Sequence, residues 1–99
     1  MKIEIELADP AKVNRLYLEL NRITDSTHHE YNSFVITNDD GMQLRITTAL
    51  NYVSFGEAGD EWDDGLWIEN LSTDEISLRI TMFQHRHYDR LKEREWHGD

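Results

Sequence analysis

Residues 2–7, KIEIEL, set Ile3, Ile5 and Leu7 at every second position, with Lys2, Glu4 and Glu6 between them. Strict alternation of this kind marks a strand with one face buried and the other wet. Asp9 and Pro10 follow at once, a good N-cap and a residue suited to the first helical position. Val13, Leu16, Tyr17, Leu20 and Ile23 then recur at helical spacing, which predicts a helix over 10–23 with one apolar stripe. A strand that feeds directly into an amphipathic helix confines the chain to folds in which helix and sheet share one core.

After a polar connector over 21–31, the alternation returns. SFVITN (33–38), DDG (39–41) and MQLRITTAL (42–50) read as a hairpin, because Asp-Gly supplies the positive φ angles of tight turns. NYVSF (51–55) reads as a further strand. LWIENL (66–71) and ISLRITMF (76–83) read as a second hairpin, with Ile76, Leu78, Ile80 and Met82 alternating. The rival pattern there is a helix, since Ser72 and Glu75 match a capping box; alternation and β-branching favour the strand. The tetrapeptide LRIT occurs at 44–47 and again at 78–81, each time on what reads as the second strand of a hairpin. The flanks differ, so no repeat is inferred. From Gln84 onward the pattern is charged and helical. The expected order is β-α-β-β-β-β-β-α, a single α+β domain over 1–99. Its antiparallel sheet of about five to six strands packs on one main helix, 10–23.

There is no cysteine, which excludes a disulfide framework, a thiolate metal site and a cysteine nucleophile, and points to the cytoplasm. No apolar run approaches the roughly 20 residues of a membrane span. No Gly-x-Ser-x-Gly elbow, phosphate-binding loop or dinucleotide fingerprint is present, so no enzyme and no cofactor are expected. Aligning Gly65 with the glycine of a calcium-binding EF-hand loop places Asp60 and Asp64 well, but puts Trp62 and Leu71 where oxygen ligands belong. An alternative reading is a metal-binding protein or hydrolase in which His85 and His87 join Glu30 or Asp89. It requires both rings on one face of an extended last strand. His28 and His29 are adjacent and cannot easily share one ion.

The charge pattern is more informative. The net charge is −10, and between residues 25 and 75 there are twelve carboxylates and one strong base, Arg45. Residues 56–67, GEAGDEWDDGLW, carry five of these acids and two tryptophans. Trp67 falls inside a strand and reads as core, whereas Trp62 is ringed by Asp60, Glu61, Asp63 and Asp64. A surface of this sign repels nucleic acid and anionic membrane and attracts basic proteins. Tryptophan is enriched at interface hot spots. The expected partner-binding residues are therefore Glu57, Asp60, Glu61, Trp62, Asp63, Asp64 and Glu69. The expected function is inhibition or regulation of a basic partner, a nucleic-acid-binding protein or nuclease, by charge imitation of nucleic acid. Phage antagonists of host defence and immunity proteins against nuclease toxins are such settings. Arg86, Arg90, Lys92 and Arg94 form the one basic element, expected to lie across part of the acidic surface. A third reading is a structural subunit that self-associates, as a homodimer for instance, through an exposed sheet edge.

Overall fold

Five strands lie side by side in the order in which they occur in the chain: β1 (Lys2–Glu6), β2 (Ser33–Thr37), β3 (Met42–Thr47), β4 (Tyr52–Glu57) and β5 (Leu66–Ile68). Among the described residues, three helices accompany these five strands in an α+β fold, α1 (Pro10–Thr27), α2 (Thr73–Gln84) and α3 (Tyr88–Lys92). The computed structural model describes residues 2–6, 9–27, 33–48, 50–60 and 65–97.

The sheet is mixed, where the sequence pattern predicts a wholly antiparallel one. β2, β3, β4 and β5 pair antiparallel, but β1 runs parallel to β2, with Ile3 opposite Phe34 and Ile5 opposite Ile36. The reason is local. β2 to β5 follow one another through short turns, whereas a whole helix separates β1 from β2, and such a crossover returns the chain in the same direction. α1 opens as expected: Asp9 accepts hydrogen bonds from the amides of Ala11, at 2.8 Å, and Lys12. It continues past residue 23 to Thr27.

The larger correction concerns 72–84. This segment is helix α2 and not the second strand of a hairpin, so the order is β-α-β-β-β-β-α-α. Ser72 is the N-cap, its hydroxyl oxygen accepting from the Glu75 amide at 3.1 Å. The buried residues of α2 are Ile76, Arg79, Ile80 and Phe83, spaced i, i+3, i+4, i+7, while Leu78 is exposed. Arg86 then takes a left-handed φ of 58°, which ends the helix and turns the chain into α3.

Strand register sorts the sheet into two faces. Phe34, Ile46, Val53 and Ile68 lie directly opposite one another, as do Ile36, Leu44 and Phe55. These residues form one core with Val13 and Tyr17 of α1, with Ile76, Ile80 and Phe83 of α2, and with Leu91 of α3. Residues of all three helices, and not of α1 alone, therefore pack on this face. Each large apolar side chain so buried contributes about 1.5–3 kcal/mol before the entropy of ordering it is counted. Tyr17 stacks on Phe34 at 6.1 Å, and Phe83 meets Phe55 edge-on at 6.0 Å. The opposite face carries the row Val35, Arg45, Ser54 and Trp67. Trp67 stacks on Tyr52 at 6.2 Å, and its backbone exchanges two hydrogen bonds with His97 across the free side of β5.

Candidate protein-binding site

The segment between β4 and β5 carries the densest charge, and close backbone contacts hold its described residues, 58–60 and 65. Gly59 adopts a φ of 97°, open to glycine at no steric cost. The Asp60 amide donates to the Glu57 carbonyl at 3.2 Å, and the Asp60 carboxylate accepts from the Glu57 amide at 3.2 Å. The Ala58 amide donates to the Gly41 carbonyl at 2.7 Å, tying this segment to the β2–β3 turn. A Cβ on Gly65 would stand 2.8 Å from the Phe55 carbonyl oxygen, and one on Gly56 would stand 2.8 Å from Nη2 of Arg45. Neither position has room for a side chain as the backbone stands.

Arg45 lies beneath. It is only 1% exposed, and its guanidinium donates to the Glu57 and Asp60 carbonyls at 3.4 Å. A buried cation thus supports the backbone at Glu57 and Asp60, while both of these residues are themselves exposed. Beside them runs a groove of about 570 Å³, lined by Met42, Phe55, Leu66 and Lys92 together with Gly56, Glu57, Asp60 and Gly65. Its lining thus combines three apolar side chains with two carboxylates and one ammonium.

The structure brings together two of the residues singled out in the sequence, Glu57 and Asp60. Glu69 is exposed but follows the far end of β5, next to the start of β4, and does not line the groove. Glu61, Trp62, Asp63 and Asp64 lie outside the described residues. Trp67 reads as core in the sequence, but it is half-buried on the face away from the core, stacked on Tyr52. Met42 and Leu66 were not legible as groove residues, because an alternating strand pattern identifies the buried face and not where that face meets an opening.

The basic element does lie against part of the acidic half, at particular places. Arg86 pairs with Asp39 and approaches Asp40 at 4.0 Å. Arg94 grips Glu75 through two hydrogen bonds of 2.9 and 2.6 Å. Glu75 also accepts from the 1%-exposed Arg79 at 2.9 Å, and the Arg79 guanidinium sits 4.4 Å over the Trp96 ring. The Arg94 hydrogen bond, followed by that of Arg79, holds the Glu75 carboxyl below its usual range against the opposing effect of burial. Asp40 is likewise lowered, chiefly by the hydrogen bond it receives from Tyr88 at 2.7 Å. Burial raises the Tyr88 phenol, so it stays protonated and able to donate. Asn38 completes this cluster, giving hydrogen bonds to the Tyr88 hydroxyl and to the Phe83 carbonyl. None of these partners is Glu57, Asp60 or Glu69, which form no ion pair among the described residues.

His85 and His87 cap the adjoining ends of α2 and α3, with ring centroids 5.9 Å apart. Among the described residues, no group of three or more histidines and carboxylates is placed to hold a metal ion. His28, His29 and Glu30 lie outside the described residues. No helix among the described residues is long and apolar enough to cross a membrane. Comparisons with protein-family models, curated proteins and solved structures give no match.

Proposed function

We propose that this chain is a non-enzymatic binding protein that works in the cytoplasm and inhibits or regulates a basic partner, a nucleic-acid-binding protein or nuclease. It would do so by presenting carboxylates where the partner expects phosphates, as a phage antagonist of host defence or an immunity-type inhibitor would. The observation that carries the reading is the division of charge. Arg86 and Arg94 are engaged by Asp39, Asp40 and Glu75, while Glu57 and Asp60 stand exposed on a segment whose backbone is held by a buried arginine. Duplex DNA carries one negative charge per ~1.7 Å of axis, and the clefts that bind it are correspondingly basic. A preorganised acidic surface can enter such a cleft quickly, because long-range attraction steers the encounter.

The test is association of the purified chain with a panel of purified nucleases and DNA-binding proteins, followed by biolayer interferometry. At least one should bind at low salt, duplex DNA should compete, and rising salt should slow association more than it speeds dissociation. Binding that ignores both competitor DNA and salt would overturn the reading, as would no binding across the panel.

A further inference from the structure

We infer that the groove lined by Glu57, Asp60 and Lys92 is an arginine-docking site, which takes a guanidinium side chain from the basic partner. The inference rests on the binding-protein reading above and adds to it the kind of group that is recognised. The groove combines two features that a merely acidic surface lacks. Its lining includes the apolar side chains of Met42, Phe55 and Leu66, and beside them the exposed residues Glu57 and Asp60. An arginine side chain has the matching parts: an aliphatic stem that gains from an apolar lining, and a planar, weakly hydrated cation that pairs with carboxylates through several donors. Lysine has a similar stem, but its compact ammonium is strongly hydrated and parts with water less readily.

Close contacts tie the described backbone beside the groove. Gly56 and Gly65 stand where a side chain would strike Arg45 or the Phe55 carbonyl, and the Glu57 amide and Asp60 carboxylate are joined by a hydrogen bond. A site already shaped before binding loses less freedom when it is filled. Lys92 is the one cation among the described lining residues, and it is exposed. In this arrangement it opposes an incoming guanidinium, so its removal should strengthen binding.

The experiment is an NMR titration of the isotope-labelled chain at low salt, using a blocked peptide with two arginines and its two-lysine counterpart. The arginine peptide should shift the amides of Gly56, Glu57, Asp60, Gly65 and Leu66 most. It should bind at least about threefold more tightly than the lysine peptide, as expected where planar carboxylate recognition matters. Met42→Gln should weaken both peptides, since both stems use the apolar lining, and leave the preference for arginine in place. Lys92→Glu should tighten the arginine peptide by roughly three- to tenfold, the scale of an exposed charge reversal. Lys92 is exposed, so that variant keeps the test sound if Met42→Gln does not fold. Shifts spread evenly to Glu69 and Asp74, with equal affinity for both peptides and no effect of Met42→Gln, would overturn the arginine site and leave the general acidic surface standing. The absence of any shift with either peptide would overturn both.

Discussion

The tetrapeptide Leu-Arg-Ile-Thr occurs twice, at 44–47 in strand β3 and at 78–81 in helix α2, and each copy buries its arginine to 1% exposure. In the strand, Leu44 and Ile46 point into the core and Arg45 points to the other face, where it donates to the carbonyls of the acidic segment. In the helix, Arg79 and Ile80 are buried on the same side, Leu78 is exposed, and the guanidinium lies between Glu75 and Trp96. Four identical residues therefore adopt different secondary structures because their surroundings differ: cross-strand neighbours in one case, a cap at Ser72 and a core on one side in the other. The two arginines also do different work. Arg79 belongs to a charge network closed within the molecule, whereas Arg45 holds the backbone at the exposed residues Glu57 and Asp60.

Removing the carboxylate from the closed network should have the largest effect. Glu75→Ala leaves Arg79 buried without its ion pair and should cost about 3 kcal/mol, as expected when one partner of a buried pair is deleted. A urea melt measures this, and a loss near zero would mean that the Trp96 contact alone holds Arg79. The same group governs the acid limb. The folded-state pKa of Glu75 lies below its ordinary value of 4.5, so its contribution is complete above that pH and disappears as pH falls through the folded value. Asp40 acts in the same direction. Melts in a series descending from pH 6 should show stability falling below about pH 4.5, with a shallower slope in Glu75→Gln.

Arg45→Met should come next, at about 2 kcal/mol, because the Glu57 and Asp60 carbonyls lose a donor. Its signature should be local: faster amide hydrogen exchange at Glu57, Ala58 and Asp60, with α2 unaffected. Equal acceleration across α2 would erase the distinction between the two arginines. Ser72→Ala should cost about 1 kcal/mol by removing the cap on the Glu75 amide. Smallest of all, the double variant Glu57→Gln and Glu69→Gln should leave the melting temperature nearly unchanged while slowing association with any basic partner. A marked loss of stability would show that these carboxylates serve the fold.

The misreading of α2 has a physical cause in the same comparison. Ile76, Leu78, Ile80 and Met82 alternate, but the helix uses Ile76, Arg79, Ile80 and Phe83, and a charged residue at a core position conceals a helical stripe. The Ser72–Glu75 capping box was the truer signal, because it depends on local geometry and not on which residue happens to be buried. β1, the start of α1 and the β2–β3 hairpin were legible for the converse reason: alternation, cap and turn all agreed there. The parallel pairing of β1 was obscured by extending a rule for hairpins across an intervening helix. At the binding site, the charge of Glu57 and Asp60 was visible in the sequence. The groove was not, since it arises where Met42, Phe55 and Leu66 from three strands meet Lys92 of α3.

Strand order that follows chain order has a consequence for how the molecule is assembled. β2 to β5 can be added by successive closure of neighbouring segments, and contacts between residues near in sequence form quickly. The pairing of Trp67 with His97 is different, for it must wait until α2 and α3 have been laid down. Until then the outer side of β5 offers free amides and carbonyls to any other chain, so the moment of greatest danger from misassociation falls late in folding, after most of the sheet is complete.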